Sequence, residues 1–327
     1  MEEDLEIIER GLLSEVNGES DFIEIEPRGP GGLRDLTKPM KKVSSKVLNY
    51  LDTVKVTTSF KTRNHKAWLL QSLLNELGYP LSPDGFFGQV TEKEVKKYQA
   101  AHGLVNDGIV GKATWSELIY EGKGRISNSK ISKKDFEKAA IELDVEVDVV
   151  RAITKVEAGG SGYVFSNHPT ILFESHVFWK ELKKRGVNPN KYKDSDILNQ
   201  TWNQGKAHYV GGVGEYARLQ KARWINCDAA NASASWGLFQ IMGNNYKACG
   251  CSKVSEFVER MCTSESEQLM LFVAFIKKNN LHNFLMGKNK LWDRFAAGYN
   301  GAGYKENHYD TKLMEAYEYC KKHPLID

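Results

Sequence analysis

A glutamate at the end of an apolar helical stripe is suited to acid catalysis. Val149, Ile153 and Val156 recur at the spacing of one helix face, and the next residue is Glu157. Gly159-Gly160 follows and predicts the end of the helix in the left-handed conformation that glycine adopts at little cost. The negative end of a helix dipole disfavours ionisation of a carboxylate in the last turn. A carboxylic acid that keeps its proton can protonate the leaving-group oxygen of a glycoside.

A second carboxylate follows shortly afterwards in the chain. The stretch from Pro169 to His176 carries a short apolar run into Glu174. Asp228 is the other acidic residue that we consider for a paired role. Two carboxylates are what an inverting glycosidase needs, because one protonates the leaving group while the other activates water.

Two later stretches contain side chains of the kinds that hold a sugar. Small residues around Ser235 allow close backbone approach, so that the Gln240 amide would reach a bound sugar. Tyr299-Asn300 places an aromatic ring beside an amide, which suits stacking and hydrogen bonding. Both patterns are also common in ordinary cores and turns, so neither indicates catalysis alone.

Length and composition restrict the class of protein. The 327 residues suffice for two or three domains, and 41% hydrophobic content supports packed cores. A net charge of +3 gives no indication of a nucleic-acid partner. No apolar run reaches the length of a membrane span, and the opening Met-Glu-Glu-Asp does not resemble a secretory signal. Five cysteines, an odd number, predict thiols kept reduced in a cytosol.

The sequence does not predict a metal ion or other cofactor. Cys249-Gly-Cys251 is too tightly spaced for a zinc knuckle, and no histidine at ligand spacing lies beside it. His168, His176 and His208 do not form the His-Glu-x-x-His pattern of a zinc peptidase.

Composition divides the chain into four segments. Residues 1–62 have an acidic first half, a Pro-Gly break and a basic second half, and we interpret them as an arm and linker. A small domain is predicted at 63–121 and a short Gly-Ser-Lys linker at 122–134. Residues 135–327 form one larger domain, in which amphipathic helical stripes dominate.

The small domain contains an internal repeat. Asp84–Thr91 reads Asp-Gly-Phe-Phe-Gly-Gln-Val-Thr and is echoed by Asp107–Thr114, Asp-Gly-Ile-Val-Gly-Lys-Ala-Thr. We expect each Asp-Gly to form a tight turn, the second glycine to take a strained angle and the threonine to cap a helix. An amphipathic helix precedes the first copy and ends at Gly78. Together these predict a three-helix module.

With paired motifs such as Leu70-Gln71 and Tyr98-Gln99, residues His65 to Tyr120 resemble the peptidoglycan-binding domain of cell-wall hydrolases. The resemblance implies a non-catalytic module that docks on bacterial peptidoglycan.

The larger domain has a second resemblance, which rests on the order of its motifs. Val156–Gly160, Gly237–Gln240 and Ala297–Asn300 resemble the pattern of goose-type lysozymes and soluble lytic transglycosylases. With Ile171–His176 and Trp236–Gly243, the fuller match is to the N-acetylmuramidase domain of modular phage endolysins. Ala158 stands where relatives often have serine.

These resemblances imply an all-α chain with a small three-helix peptidoglycan-binding domain followed by a larger lysozyme-like helical domain. The reaction implied is cleavage of the β-1,4 bond between N-acetylmuramic acid and N-acetylglucosamine, with Glu157 as general acid and Glu174 as the second catalytic residue. The implied substrate-binding residues are His176, Ser235, Gln240, Tyr299 and Asn300.

Three alternatives remain open at this point. A lytic transglycosylase would need no second carboxylate, because the sugar's own 6-hydroxyl attacks. A zinc amidase also joins peptidoglycan-binding modules, but it would lose activity on chelation. A wall-binding protein without catalysis would release no sugar. As an endolysin, the chain would be a monomer that accumulates in the host cytoplasm and reaches the cell wall through holin pores.

Overall fold

Helices dominate the computed structural model, and each strand has only two to four residues, which confirms the predicted all-α class. The structure describes residues 22–25, 41–51, 62–124, 130–158, 160–201 and 209–325. These residues form two compact units. The first unit takes in the described residues of 128–163 and 235–327, and the second takes in those of 16–127 and 164–234.

The elements follow one another along the chain from the N-terminal hairpin to the last helix. The elements before residue 174 are β1 (Phe22–Ile25), β2 (Lys41–Ser44), α1 (Ser45–Leu51), α2 (His65–Glu76), α3 (Gln89–Ala101), α4 (Lys112–Gly124), α5 (Lys133–Leu143), α6 (Val147–Glu157), β3 (Tyr163–Phe165), β4 (His168–Pro169) and β5 (Ile171–Phe173). The remainder are α7 (Ser175–Lys184), α8 (Gly214–Arg223), α9 (Cys227–Ala232), β6 (Ala234–Trp236), β7 (Ile241–Met242), α10 (Val254–Met261), α11 (Glu265–Lys278), α12 (Trp292–Asn300) and α13 (Tyr309–Lys322).

The predicted three-helix module is present as α2, α3 and α4 in the second unit. The leucine stripe of α2 is buried, and Asn64 caps the helix by accepting hydrogen bonds from two backbone N–H groups. The helix ends at Glu76, and Gly78 has a φ of 93°, as its sequence predicts.

The repeat is organised around a buried glutamine in each copy. Gln71 Nε2 donates to Asp84 Oδ1 at 2.9 Å and to Thr91 Oγ1 at 3.0 Å, while Gly85 N donates to Gln71 Oε1 at 2.8 Å. Gln99 makes the same set of bonds in the second copy, to Asp107, Ile109, Thr114 and Gly108. The spacing that the two copies share therefore serves the module's own stability.

Two details predicted for the repeat are wrong. The first glycine of each copy takes the positive φ, 83° at Gly85 and 77° at Gly108, because the turn lies at the Asp-Gly step itself. Thr91 lies inside α3 rather than at its cap, which is Gly88. The Thr91 hydroxyl bonds to Gln71 instead of to the helix terminus.

Part of the predicted arm and linker is folded. β1 pairs antiparallel with β2, and Ile23 lies opposite Val43. Val47, Leu48 and Leu51 are buried on one side of α1 because they recur at helical spacing. The prediction of an arm and linker for 1–62 is therefore wrong for residues 41–51.

Helix α8 lies at the centre of the second unit. It packs against α2, α9 and β5. Its residues 214–219 are all buried, and Gly214 leaves no room for a side chain, because an added Cβ would lie 2.3 Å from Val210 Cγ1. The three-helix module therefore shares its unit with the segment 164–234.

In the first unit, α6 packs along α13, and α11 packs against α5. Helical spacing in α11 predicts a core stripe, and its members are buried: Leu269, Phe272, Val273 and Ile276. Ser132 opens α5 with a capping box, in which its hydroxyl and the Asp135 carboxylate bond reciprocally to the backbone.

Helix α12 is longer than its sequence predicts. Gly298 predicts the end of the helix with Tyr299-Asn300 in a turn, whereas the helix continues to Asn300. Gly298 is needed for packing, because an added Cβ would lie 2.5 Å from Leu281 Cδ2. The sequence pattern also groups Leu291 with Trp292 and Phe295 as core, but Leu291 is 41% exposed and precedes the helix.

Candidate active site

Glu157 is the last residue of α6, as predicted, and its side chain is half-buried. Ala158 caps the helix with a φ of −94°, so the predicted left-handed end is not found there. Gly160 has no positive φ either, and Gly159 lies outside the described residues. The end of the helix is held instead by a bond from Ala158 N to Thr154 O at 2.8 Å.

Two motifs that lie far apart in sequence meet at Glu157. Asn300 Nδ2 donates to Glu157 Oε1 at 3.1 Å, across 143 positions of sequence. Asn300 is the last residue of α12, so two helix ends converge on this contact. Asn300 Oδ1 is buried and accepts no hydrogen bond from the described part of the chain. The geometry thus orients the Glu157 carboxyl and leaves a buried acceptor beside it.

Tyr299 connects α12 to the loop that contains Gln240. Its hydroxyl donates to Phe239 O at 3.0 Å, and its ring stacks on Phe295 with centroids 5.7 Å apart. Because the ring is only 2% exposed, Tyr299 supports the site in this structure from within the core.

Strands β6 and β7 form an antiparallel hairpin, in which Ser235 pairs with Met242. The loop between them contains two residues with positive φ, Gly237 at 69° and Gln240 at 48°. Ser235 Oγ donates to Gln240 Oε1 at 2.8 Å, and Gln240 Nε2 donates to Gly237 O at 2.7 Å. The Gln240 amide therefore bonds within its own loop at both ends and fixes the loop's shape.

A further glutamine, which the sequence did not identify, holds this loop from behind. Gln268 on α11 is fully buried and accepts a hydrogen bond from Leu238 N at 2.8 Å. Its amide nitrogen donates to Met261 O at 2.9 Å and to Gly162 O at 3.3 Å. A Cβ at Gly237 would lie 2.7 Å from Gln268 Cδ, so glycine is required there. Gln268 thus fastens the chain that follows Glu157 to the hairpin loop.

Glu174 belongs to the second unit and is almost fully enclosed. Its side chain is 2% exposed, and the Tyr209 hydroxyl donates to Glu174 Oε2 at 2.7 Å. His176 Nδ1 lies 3.4 Å from the same oxygen. Asp228, by contrast, is exposed in the first turn of α9. Glu157 and Glu174 lie in different compact units.

A buried ion pair holds the backbone on both sides of Glu174. Arg218 and Glu215 on α8 are 1% and 0% exposed, with Nη1 and Oε2 2.7 Å apart. Glu215 Oε2 accepts from Phe173 N at 3.1 Å, and Arg218 Nη1 donates to Phe173 O at 3.1 Å. Arg218 Nη2 donates to Ser175 Oγ at 2.9 Å. Attraction to Glu215 helps to raise the pKa of Arg218, so the guanidinium stays charged despite its burial.

Two histidines of the second unit favour the neutral form. Burial lowers the pKa of His168 to about 4, and its ring stacks on Phe165 with centroids 3.9 Å apart. Burial likewise lowers the pKa of His65 to about 4. Neither ring is bonded to a carboxylate in the described residues, so the loss of hydration is the largest effect on both pKa values.

Two kinds of feature are absent from the described residues. They contain no group of three or more His, Cys, Asp or Glu side chains that could hold a metal ion. Among the same residues, no helix is both long and apolar enough to cross a membrane.

Comparison with protein families gives two matches. Residues 69–118 match the family described as putative peptidoglycan binding domain, and residues 146–321 match the family described as N-acetylmuramidase. The second match takes in more than half of the chain. The chain belongs to the N-acetylmuramidase family. This membership makes it a glycoside hydrolase of the class that acts on peptidoglycan, and it confirms the resemblance read from the order of the motifs.

Known proteins are similar over different parts of the chain. A crystal structure of the Burkholderia AP3 phage endolysin is 36% identical, with a TM-score of 0.55, and the match covers 83% of this chain and 100% of that one. A protein of Kitasatospora aureofaciens described as "Uncharacterized protein in bpoA1 3'region" is 47% identical over 51 residues. That match takes in 15% of this chain and 42% of the curated relative's length.

Proposed function

We propose that this protein is an endolysin that hydrolyses the β-1,4 bond between N-acetylmuramic acid and N-acetylglucosamine, with Glu157 as the general acid. The observation that supports this role most directly is the hydrogen bond from Asn300 to Glu157 at the meeting point of two helix ends. It fixes one carboxyl oxygen, and a fixed carboxyl is aimed at one leaving-group oxygen rather than sampling many rotamers. The family match and the similarity to a phage endolysin support the reaction and the biological setting.

Asn300 has a second role in this proposal. Its Nδ2 orients Glu157, while its Oδ1 is an acceptor for an N–H or O–H group of the sugar. A buried acceptor that has no protein donor is costly, and a ligand donor would relieve that cost. We assign Tyr299, Gln240 and Ser235 to the wall of the same sugar site. Their mutual bonds keep Phe239 and Gly237 in place for the substrate.

Glu174 is the second carboxylate in our proposal and activates water, as an inverting hydrolase requires. Glu174 is enclosed and accepts a hydrogen bond from Tyr209, whereas Asp228 is exposed on a short helix. A held and desolvated carboxylate is better suited to proton transfer than a solvated one. His176, beside Glu174, is assigned to substrate binding.

The substitution Glu157→Gln tests whether Glu157 is the general acid. Glutamine keeps the oxygen that accepts from Asn300 but cannot donate a proton as an acid. General acid catalysis contributes about 10² to 10⁴ in rate, so lysis of sacculi should fall by that factor. The matched control is Glu142→Gln, which makes the same chemical change at a 49% exposed residue of α5 and should leave the rate unchanged. Lysis by Glu157→Gln at the parent rate would remove Glu157 from the mechanism.

The second carboxylate has its own test. We expect Glu174→Gln to lower turnover while preserving the circular dichroism spectrum. If turnover falls only with Asp228→Asn, then Asp228 is the base.

We further propose that the chain acts as a monomer, accumulates in the host cytoplasm and reaches the wall through holin pores. Its peptidoglycan-binding module would hold it there and raise the local concentration of enzyme at the substrate. Light scattering tests the monomer, because a doubled mass would refute it. Expression with and without a holin tests the route, since lysis of the culture without holin would refute holin dependence.

A further inference from the structure

Tyr209 is a hydrogen-bond partner of Glu174, and nothing in the sequence motifs points to it. Its hydroxyl lies 2.7 Å from Glu174 Oε2, and its side chain is 5% exposed. The tyrosine precedes α8, and 35 positions separate it from Glu174. A hydroxyl that donates to a carboxylate stabilises the ionised form, which is the form that a base must have before it takes a proton from water.

The Glu215–Arg218 ion pair of α8 holds the backbone beside both Tyr209 and Glu174. Glu215 Oε1 accepts from Val210 N at 2.6 Å and from Gly211 N at 3.0 Å, directly after Tyr209. Glu215 Oε2 accepts from Phe173 N, directly before Glu174. The two oxygens of one buried carboxylate therefore hold the two backbone segments that carry the phenol and the acid.

Arg218 completes the arrangement from the other side. Its guanidinium donates to Phe173 O and to Ser175 Oγ, the neighbours of Glu174 on either side, and to Asp196 O at 2.7 Å. A planar guanidinium with several donors holds such a set of acceptors in fixed directions, which lysine cannot do. A buried ion pair is weak evidence for stability in general. Here, however, the carboxylate of Glu215 and the guanidinium of Arg218 also hydrogen-bond to the backbone segments around Tyr209 and Glu174.

We propose that Tyr209 is a positioning residue that keeps Glu174 ionised and correctly oriented as the base, and that the Glu215–Arg218 pair holds the two together. The proposal rests on the role that we have assigned to Glu174. The titratable or charged groups described near Glu174 include Tyr209 and His176 in direct contact. They also include Glu215, Arg218 and Asp196, which bond to the neighbouring residues Phe173 and Ser175.

The first test is Tyr209→Phe, which removes only the hydroxyl. We expect kcat to fall by about tenfold or more, because a hydrogen bond to a charged group is among the stronger ones in proteins. KM should stay near the parent value, since Tyr209 is assigned no contact with the sugar. The acid limb of the kcat profile should move to higher pH, because the ionised carboxylate has lost its donor.

Tyr216→Phe is the matched control. It removes a buried tyrosine hydroxyl from α8 of the same unit, where the hydroxyl donates to Pro169 O at 2.7 Å. If both variants change kcat and the pH profile alike, the effect is a general loss of packing and the proposal fails. An unchanged kcat and acid limb in Tyr209→Phe would also overturn it.

A double-mutant cycle separates this proposal from the role of Glu174 itself. In a Glu174→Gln background, Tyr209→Phe should have no further effect on kcat, because its target is gone. Additive effects would show that Tyr209 acts elsewhere. If Glu174→Gln alone leaves turnover unchanged, the assignment of Glu174 fails first.

Arg218→Lys provides a second variant that keeps a positive charge beside Glu215. It should lower kcat and leave KM near the parent value, because lysine cannot make both guanidinium hydrogen bonds, to Phe173 O and to Ser175 Oγ. A parent-like kcat in a folded Arg218→Lys protein would remove the ion pair from the proposal.

Discussion

Replacing Gln268 by leucine should loosen the loop between β6 and β7 without disturbing the three-helix module. The change leaves three backbone groups in the first unit without their partner: Leu238 N, Met261 O and Gly162 O. A buried polar group that loses its hydrogen bond costs about 1–3 kcal/mol. Taking the low end for each of the three groups, the loop should lose about 3 kcal/mol of local stability.

Hydrogen exchange measured by mass spectrometry can detect this loss directly. Opening that becomes easier by about 3 kcal/mol speeds exchange on the order of 100-fold, since each 1.36 kcal/mol is tenfold. Peptides that include Leu238 should show this increase in Gln268→Leu. Peptides from α2 should exchange at the parent rate, because that helix belongs to the second unit.

Lys278→Leu is the matched control, because it places leucine on an exposed position of the same helix. It should leave exchange at Leu238 unchanged. If Gln268→Leu also leaves that exchange unchanged, the loop is held by other contacts, and our account of Gln268 is wrong.

Further predictions concern the second unit. Because the pKa of His168 is lowered to about 4 in the folded protein, the unfolded chain binds more protons, and the thermal midpoint should fall as pH drops from about 6.5 to 4. His168→Phe should weaken that dependence when melting is followed at both pH values, and an unchanged dependence would exclude His168 as its source. Gln71→Leu should reduce retention on sacculi and lower the thermal unfolding midpoint of the module, because it removes the hydrogen bonds that hold the first copy of the repeat. The change Lys93→Leu, at an exposed position, should do neither. A truncation that starts at Ser127 lacks α2 and therefore its packing against α8. We expect this truncation to have lower activity on soluble muropeptides as well as on sacculi. Full activity on soluble fragments would show that residues 135–327 fold alone.

Much of the fold could be predicted from local spacing. The leucine stripe of α2, the core stripe of α11 and the position of Glu157 in the last turn of α6 all follow from helical periodicity. Gly78 ends its helix as expected because the sequence places it directly after that stripe. The order of the motifs was sufficient to indicate the family, because the family that the sequence resembles has the same motifs in the same order.

The contacts that hold the site could not be predicted, because they join residues that lie far apart in sequence. Gln268 reaches Gly162 across 106 positions, and no local pattern records such a pairing. One signal was available, since Gln268 is a polar residue directly beside the apolar stripe of α11. Glu215 and Arg218 are three positions apart and are easily interpreted as a surface ion pair, which their burial contradicts. The positive φ at Gln240 and the extension of α12 to Asn300 likewise depend on tertiary contacts rather than on propensity.

We propose that the chain is a hydrolase whose general acid is Glu157. Digestion of purified peptidoglycan in ¹⁸O-labelled water, followed by mass spectrometry of the products, tests it most directly. Hydrolysis places the label at the new reducing end of N-acetylmuramic acid, and Glu157→Gln should abolish the labelled products while Glu142→Gln does not. Unlabelled 1,6-anhydro-muramic ends would identify a lytic transglycosylase instead, and labelled products from Glu157→Gln at the parent rate would contradict the assignment of the acid.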